Sequence, residues 1–563
     1  MTIPQDTRPV KRIAVIGAGA AGIAQAKEIL EAFQHGKSEF RVDLVVFESR
    51  SKIGGVWLED PEAGEYKLKY DSKGTTRALS TRSGSTPSPI YAGLRTNLPK
   101  QLMTFRNHPF PTETELFPRA SDVCDYLISY AEMHGVDRFI RFDTTVTRVR
   151  KEGDAWVVNS QTAKRSEGKG KVSDEDLVED SGDDIRKREE RFDFVSIANG
   201  HYEKVMIPEI PGLNRFEGTV LHSRWYRRPE EYIGRRVLVV GSFASGSDVA
   251  RELASVQIPT QDLPESMQLA RKRNHLSHPD VPAEGKVEVF QSSSMLPNDR
   301  SPYGKKEEEG RPWTKYIQHR PLIEKIEGGV IHFKDGSTLE DIDVIIFATG
   351  FYYQLPFAKS EDAPWNEKRV CEETVGDVDV LDEVNGWEKG GIQGLAIKEL
   401  DEIKLFLRGD RTCAFIALPY LVVPFPLAEI QSHLTALYWA GRLSNIPDSF
   451  SAPSREEEAV QPDDKAKPQQ QPGHENQQAA NDTTHDGEHA KPGNPPVKKD
   501  KRHTEKVRGD LVFGFPYEYR YENYLLGLTA EADGGEKGGW GSVEEWRFPL
   551  RKNKALRSEV LGY

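Results

Sequence analysis

Two segments of the chain place glycines where a strand is expected to turn into a helix. Gly17, Gly19 and Gly22 form the pattern G-x-G-x-x-G directly after the apolar run Arg12–Ile16. In such a turn the first glycine permits the tight bend, the second lets a pyrophosphate approach the backbone, and the third lets helix and strand pack closely. The helix N-terminus then offers free N–H groups to the phosphates. This spacing predicts binding of a dinucleotide.

Glu48 strengthens this prediction. A bare G-x-G-x-x-G is expected by chance about 0.3 times in a chain with 47 glycines among 563 residues, so the surrounding sequence has to decide. The predicted second strand, Val42–Phe47, ends at Glu48, an acid that suits the ribose hydroxyls of a dinucleotide.

The second segment lacks the middle glycine. Gly241, Phe243 and Gly246 follow the predicted strand Arg236–Val240 and precede a helical run. A side chain at Phe243 is expected to hinder the close approach of a pyrophosphate, and nearby hydroxyls offer contacts instead. These hydroxyls belong to Ser242, Ser245 and Ser247. Two such segments predict two dinucleotides held by one enzyme.

Composition excludes several other classes of protein. The formal net charge is −13, which is the wrong sign for a protein that binds nucleic acid. Cys124, Cys371 and Cys413 show neither C-x-x-C nor zinc-type spacing, which removes a disulfide scaffold, a dithiol centre and a cysteine–zinc site, and we expect no metal. No signal peptide is apparent, and the apolar run Cys413–Leu427 is short and contains three prolines. We therefore expect a cytoplasmic protein without a membrane anchor.

The rest of the sequence alternates short β-branched runs with helical patterns, which is typical of βαβ units and parallel sheets. Residues 161–190, read as an overgrown hairpin loop, and residues 451–506 contain few large apolar side chains and are predicted to be disordered. From Phe513 to Tyr521 aromatic residues alternate, which favours one buried strand face over a substrate cage. The predicted strands are Arg12–Ile16, Val42–Phe47, Arg236–Val240, Val287–Phe290 and Asp343–Ala348.

A longer motif lies between the two glycine segments. Phe216–Tyr226 fits F-x-G-x-x-x-H-x-x-x-Y, for which the chain's own composition gives about 0.002 chance occurrences. This motif resembles the identifying sequence of the flavin-containing monooxygenases, which are class B flavoprotein monooxygenases. Further blocks resemble that family over about residues 10–445: Gly54–Trp57, Tyr91–Lys100, Phe347–Phe351 and Pro426–Gln431.

The resemblance implies an α/β fold with two Rossmann-like dinucleotide-binding domains. The FAD domain is expected in two segments, with the NADP domain inserted between them. The expected divisions are 8–213 (first FAD segment), 214–340 (NADP domain), 341–450 (second FAD segment), 451–506 (linker) and 507–563 (an extension packing on the FAD domain).

The resemblance also implies roles for individual residues. Thr96 and Asn97 match a pair beside the flavin ring, with Asn97 near the nicotinamide as the catalytic residue. For His222 a hydrogen-bonded linker histidine is favoured over direct catalytic contact. The implied cofactor contacts are Gly17, Ala18, Gly19, Ala20, Ala21, Gly22, Glu48, Gly55, Val56, Trp57, Thr96, Asn97, Val146, Gly241, Ser242, Phe243, Ser245, Gly246 and Gly350.

The activity implied is that of an N,N-dimethylaniline-monooxygenase-like enzyme. NADPH reduces FAD, O2 adds to the reduced flavin as a C4a-hydroperoxide, and a sulfur or nitrogen nucleophile of a small molecule takes up one oxygen atom. Because the flavin performs this chemistry, the protein has to orient it and exclude water. An amide such as Asn97 suits this role since it donates a hydrogen bond without titrating.

Several alternatives are left open. A Baeyer–Villiger oxygenase shares the chemistry, but its motif ends in Trp where this chain has Tyr226, and a disulfide reductase would need paired cysteines. A non-catalytic nucleotide-binding scaffold is the third alternative, and a homodimer is compatible with the sequence. NADPH preference over NADH rests mainly on the resemblance, because Gln291–Ser294 lacks a basic residue and the basic run Arg271–Arg273 also fits a solvated helix face.

Overall fold

The computed structural model describes residues 6–64, 66–70, 76–80, 87–163, 185–280, 282–294, 311–367, 370, 391–447, 511–534 and 540–562. The predicted disordered linker, 451–506, lies outside these residues, as does 164–184. The loop predicted at 161–190 is too long at both ends, because residues 161–163 and 185–190 belong to two paired strands. The helices are α1 (Ala20–Ala32), α2 (Ala120–Met133), α3 (Ala244–Ser255), α4 (Glu265–Ser277), α5 (Pro424–Trp439), α6 (Tyr517–Thr529), α7 (Arg547–Lys552) and α8 (Leu556–Leu561).

Two parallel-rich sheets carry the fold. In the first half of the chain the strands are β1 (Val10–Ile16), β2 (Arg41–Phe47), β3 (Tyr66–Tyr70), β4 (Thr76–Ser80), β5 (Ile140–Arg141), β6 (Thr144–Glu152), β7 (Ala155–Ala163), β8 (Ile185–Phe192), β9 (Phe194–Ile197), β10 (Thr219–His222) and β11 (Arg236–Val240). In the second half they are β12 (Glu288–Ser292), β13 (Ile317–Arg320), β14 (Ile323–Glu327), β15 (Val330–Phe333), β16 (Thr338–Leu339), β17 (Val344–Phe347), β18 (Tyr353–Leu355), β19 (Ile392–Gly394), β20 (Phe406–Leu407) and β21 (Asp410–Phe415).

The first unit is built around β1. Within the described residues its sheet has the order β20-β21-β9-β1-β2-β5, and β1 pairs in parallel with both β2 and β9. Ile13, Ala14 and Val15 are fully buried, as expected for a central strand covered on both faces. Helix α1 connects β1 to β2, so the predicted βαβ unit is confirmed.

The second unit repeats this construction around β11. Its described strands have the order β10-β17-β11-β12-β13, with β11 parallel to β12 and to β17. Helix α3 connects β11 to β12. Strand β17 had been expected in the second FAD segment, 341–450, but its parallel pairing places it in this sheet, so the limit at residue 340 is corrected to follow Phe347. The other domain limits stay predictions.

Tyr517, Tyr519 and Tyr521, three of the C-terminal aromatics, begin a helix where a strand face was expected. Tyr517–Thr529 is α6, which packs against α5, and Tyr519 and Tyr521 are buried. Tyr521 donates to the carbonyl of Ile403 at 2.6 Å. The buried positions 518, 519, 521, 522, 525, 526 and 529 form one wide face of the helix. Tyr519 and Tyr521 lie at the two edges of this face, so both are buried and the alternating pattern was misleading.

The apolar run Cys413–Leu427 is buried, as predicted from its length. It covers the end of β21 and the start of α5, with Ala414, Phe415 and Leu427 fully inaccessible to solvent. Across the described ranges, no helix combines the length and apolar character needed to cross a membrane.

Candidate cofactor and active site

The first glycine turn follows β1 and leads into α1. Gly17 has φ of +104°, and its N–H donates to the carbonyl of Phe47 at 2.8 Å. A Cβ at Gly22 would lie 1.8 Å from the oxygen of Gly17, so only glycine fits there. Helix α1 has neither a side-chain cap nor an acidic residue in its first turn, which leaves its first N–H groups to a ligand. The turn therefore fits a pyrophosphate.

Glu48 lies beside this turn at the end of β2. Its carboxylate accepts hydrogen bonds from the backbone N–H of Ala18 at 2.7 Å and of Arg50 at 2.8 Å. The side chain is buried, and this burial raises the pKa of the Glu48 carboxyl despite the two donors. The N–H of Thr144 donates to the carbonyl of Glu48, which brings the start of β6, and with it Val146, to the same edge.

The segment Gly54–Trp57 packs on the glycine turn. The N–H of Gly54 donates to the carbonyl of Ala18 at 3.3 Å, and a Cβ at Gly19 would lie 3.5 Å from the Cα of Gly55. Gly55–Trp57 forms a short 3-10 helix, and the Trp57 ring meets Phe425 edge-on at 6.3 Å. The residues predicted for FAD at Gly17–Gly22, Glu48 and Gly55–Trp57 thus come together, and they fit a flavin dinucleotide.

The second glycine turn has the same construction. Gly241 has φ of +114°, and a Cβ at Gly246 would lie 2.3 Å from the oxygen of Gly241. The side chain of Gln291 donates to the carbonyls of Gly241 and Gly246 at 3.1 and 3.2 Å. Ser247 donates its hydroxyl to the carbonyl of Ser242 at 2.9 Å, so this hydroxyl holds the turn itself. The turn fits a second dinucleotide.

The basic run Arg271–Arg273 does not supply a phosphate ligand through Arg271. This guanidinium is buried and donates to the carbonyls of Ser255 at 2.7 Å and Ile258 at 2.8 Å. It therefore supports the C-terminal end of α3, opposite the end that carries Gly241–Gly246. The expectation of a solvated helix face is wrong for Arg271, because the helix end has unsatisfied carbonyls that a guanidinium can pair.

Thr96 is held by one backbone and one side-chain hydrogen bond, and Asn97 follows it directly. The N–H of Thr96 donates to the carbonyl of Pro118 at 3.0 Å, and its hydroxyl donates to the carbonyl of Leu98 at 2.8 Å. Thr96 is buried, whereas Asn97 is exposed. The arrangement fixes the chain at this point and leaves the amide of Asn97 accessible.

Two hydrogen bonds that the sequence did not predict join the motifs to α3. Tyr91, which begins the block Tyr91–Lys100, donates to Asp248 at 2.8 Å, and Tyr226, which ends the motif Phe216–Tyr226, donates to Glu252 at 2.8 Å. Burial raises the pKa of Glu252 to about 8. Asp248 and Glu252 lie four residues apart on one face of the helix, which was the only sequence signal for this arrangement.

His222 is a buried linker residue. Its Nδ1 accepts a hydrogen bond from the N–H of Arg224 at 3.1 Å, and its ring meets Phe351 edge-on at 5.0 Å. Burial lowers the pKa of His222 to about 3, so the ring is neutral. Gly350, with φ of +93°, lies in the adjacent turn after β17. This geometry favours the structural interpretation of His222 over a proton-transfer role.

A turn directly after β9, which was not predicted from the sequence, completes the first unit. Ala198 follows β9, and a Cβ at Gly17 would lie 2.5 Å from its carbonyl oxygen. Ala348 follows β17, and a Cβ at Gly241 would lie at the same 2.5 Å from its oxygen. The signal was present in the sequence, since Ala198–Gly200 reads A-N-G and Ala348–Gly350 reads A-T-G.

Known proteins resemble this chain in sequence and in structure. The profile of the family described as "Flavin-binding monooxygenase-like" matches residues 10–261. Flavin-containing monooxygenase FMO GS-OX-like 7 of Arabidopsis thaliana is 30% identical over 442 residues, covering 77% of this chain and 74% of that protein. Flavin-containing monooxygenase 5 of Cavia porcellus is 28% identical over 386 residues, covering 62% of this chain and 63% of that protein.

Among solved structures, S-allyl-L-cysteine S-oxygenase from Allium sativum superimposes with a TM-score of 0.59 at 23% identity, covering 98% of this chain and 93% of that one. Tmm from Pelagibacter sp. strain HTCC7211 gives a TM-score of 0.52 at 19% identity, covering 78% and 77%. These two likenesses concern the fold. From the sequence relatives and the two cofactor turns, the chain belongs to the flavin-containing monooxygenase family and is an FAD- and NADPH-dependent monooxygenase that acts on a small molecule and O2.

Proposed function

We propose that this enzyme inserts one atom of O2 into a soft nucleophile, sulfur or nitrogen, of a small molecule. The other oxygen atom leaves as water, and NADPH with a proton supplies the two electrons. The observation that carries the proposal is the hydrogen bond from Tyr91 to Asp248, because it ties the block that contains Asn97 to the helix of the NADPH turn. The Allium sativum neighbour is named as an S-oxygenase, which makes a thioether the first substrate to test.

The FAD would be held by the first unit. The turn offers backbone N–H groups to the pyrophosphate, and Glu48 offers its carboxylate to ribose hydroxyls. Bound FAD would supply the redox and oxygen chemistry, so the chain's residues have to bind it, orient it and shield it. The proposed contacts are Gly17, Ala18, Gly19, Ala20, Ala21, Gly22, Glu48, Gly55, Val56, Trp57, Thr96, Asn97 and Val146.

The NADPH would be held by the second unit. Helix α3 begins at Ala244 without a side-chain cap, so its first N–H groups can face the pyrophosphate. The proposed contacts are Gly241, Ser242, Phe243, Ser245 and Gly246, with Gly350 in the turn after β17.

Asn97 is the proposed catalytic residue. Its exposed amide stands on a backbone fixed by Thr96, so it is available to donate a hydrogen bond to a reacting oxygen. An amide has no titration in the working pH range, so its donor is present at every pH at which the enzyme folds.

The test is a substrate comparison with the purified enzyme. Anaerobic NADPH is expected to bleach the flavin, and O2 with a thioether or a tertiary amine is expected to yield one sulfoxide or N-oxide per NADPH consumed. A lactone from a cyclic ketone, with no sulfoxide or N-oxide, would favour the Baeyer–Villiger alternative. A flavin that NADPH cannot reduce would leave a nucleotide-binding scaffold as the remaining hypothesis.

We also propose a cytoplasmic location and a homodimeric state. Three cysteines without paired spacing support a reducing compartment. Cell fractionation tests the location, and light scattering of the eluted peak tests the assembly.

A further inference from the structure

The C-terminal segment 540–562 runs from the first unit to the second. Arg547 donates to the carbonyl of Leu102 at 3.0 Å, and Arg551 binds Glu518 at 2.6 Å. Further on, the carbonyl of Leu561 accepts the hydroxyl of Ser266 at 2.9 Å, and Leu561 is buried in the core of the second unit. The segment therefore contacts both dinucleotide-binding units along its length.

Arg557, on α8, lies where the two units meet. Its Nε donates to the carbonyl of Thr96 at 3.1 Å and its Nη2 to the carbonyl of Arg95 at 3.3 Å. The same guanidinium donates to both oxygens of Asp248, at 3.2 and 3.1 Å. One planar group thus holds two consecutive carbonyls directly before Asn97 and a carboxylate on α3.

The pairing with Arg557 helps to keep the buried Asp248 carboxylate charged. Asp248 is buried and also accepts from Tyr91 and, at 2.7 Å, from Arg251. Although burial opposes it, Arg557 and Arg251 hold the pKa of the Asp248 carboxyl well below its usual range. A buried carboxylate that loses a cation partner is strongly destabilised, so the position of Arg557 is well determined.

We propose that Arg557 is a positioning residue for the monooxygenase reaction: it fixes the backbone at Arg95 and Thr96, and so the amide of Asn97, relative to helix α3 of the NADPH unit. The geometry explains why an arginine is needed, since its fork of N–H donors reaches four acceptor oxygens on three residues at once, whereas a lysine offers one ammonium with three N–H donors. The inference rests on the catalytic role proposed above for Asn97.

The first measurement does not depend on turnover. Hydrogen–deuterium exchange of the backbone at residues 91–100 is compared for the wild type, Arg557→Ala and Arg557→Lys, each with NADP+ bound and without it. We expect exchange to accelerate at residues 95–98 in both variants. We also expect the protection that NADP+ confers on these residues in the wild type to be reduced, because the link to α3 is lost.

The second measurement is the coupling of NADPH to product. When oxygen transfer fails, NADPH, a proton and O2 give NADP+ and H2O2 in place of oxygenated substrate and water. We expect the H2O2 share per NADPH to rise several-fold in Arg557→Ala, with the rate of flavin reduction little changed. Arg557→Lys should recover thermal stability by pairing with Asp248, but not the coupling.

The matched control is Arg551→Ala, which removes a guanidinium from the same segment without touching residues 95–97. This variant should lose thermal stability. The share of its NADPH that yields oxygenated product should equal that of the wild type when both are compared at equal flavin content. The inference is overturned if Arg557→Ala keeps wild-type exchange at residues 95–98, or if it loses only stability, as Arg551→Ala does. If Arg557→Ala does not fold, Arg557→Lys supplies both readouts. A wild type that forms no oxygenated product would contradict the proposed function instead. If Asn97→Ala gives the same product yield as the wild type, the proposed role of Asn97 is wrong.

Discussion

Phe243 and Gly19 share one backbone conformation. Each is the residue directly before its helix, with φ and ψ of −84° and −172° at Phe243 and of −78° and −172° at Gly19. These torsions are open to any residue, so the missing glycine in the second motif causes no backbone strain. What distinguishes the two turns is the side chain that Phe243 adds at the cofactor edge.

A substitution of Phe243 is therefore expected to change the affinity for NADP+ and to leave FAD binding unchanged. In Phe243→Gly the turn keeps its shape, because its conformation is the one that Gly19 already has, and the pyrophosphate can approach more closely. We expect the dissociation constant of NADP+ to fall several-fold, measured by titration calorimetry, with FAD content unchanged. Phe243→Ala should give an intermediate value. A weaker affinity would mean that the phenyl ring contributes to binding, and an unchanged affinity would mean that the ring does not hinder the pyrophosphate.

Two glycines of the first turn are expected to respond differently to alanine. In Gly22→Ala the new methyl would lie 1.8 Å from the oxygen of Gly17, so the unit must distort, and we expect a loss of about 3 kcal/mol or more in the free energy of unfolding. In Gly19→Ala the nearest atom is 3.5 Å away, so the fold should survive while the methyl obstructs the pyrophosphate. Thermal unfolding and the flavin-to-protein absorbance ratio separate the two effects. A Gly19→Ala protein with full FAD would contradict this assignment of the turn.

Asn97→Ala tests the proposed catalytic amide. We expect flavin reduction by NADPH to proceed normally and the yield of oxygenated product per NADPH to fall about tenfold or more, because one aligned donor is lost. Gln101, another exposed amide four residues further along the chain, provides the control, and Gln101→Ala should leave the yield unchanged. Equal yields for the wild type and Asn97→Ala would exclude a role for this amide in oxygen transfer.

His433 makes stability depend on pH. Its two ring nitrogens bind Glu28 at 2.8 Å and Asp533 at 2.9 Å, Lys27 lies 2.6 Å from Glu28, and the imidazole stacks on Trp540. Burial alone would lower the pKa of His433, but the two carboxylates raise it to about 9. This pKa is above that of an unfolded histidine, about 6.5, so the stabilisation is complete below about pH 6.5 and is lost as the pH rises through about 9.

His433→Gln should therefore lower the melting temperature most at about pH 6 and least near pH 9.5. The difference in unfolding free energy at the lower pH is expected to be on the order of 1–3 kcal/mol. Unfolding followed by circular dichroism across this range is the measurement. A difference that does not vary with pH would show that the histidine contributes by packing on Trp540 alone.

The sequence predicted the central parallel strands correctly and the C-terminal helix α6 incorrectly. Strands β1, β2, β11, β12 and β17 were predicted within two residues at either end, because buried parallel strands are continuous apolar runs. The start of helix α6 was predicted as a strand, because its aromatic residues alternate and because its buried face includes the charged residues Glu518 and Glu522, which obscure the helical period of apolar side chains. The sequence left Arg271 open as a phosphate ligand or as part of a solvated helix face, and the packing of α4 beside the end of α3 buries it, so that it has neither role.

The sequence by itself determined the two strand–glycine–helix turns, the cofactors and the family, because these depend on residues close together in the chain. Only the tertiary structure revealed that Tyr91 and Tyr226 meet α3, and that Arg557 reaches a carbonyl 461 residues before it. A glycine turn is a local requirement of backbone geometry, and it leaves a local pattern. A hydrogen bond between distant segments depends on the packing of whole units, and the spacing of Asp248 and Glu252 in the sequence does not identify their partners.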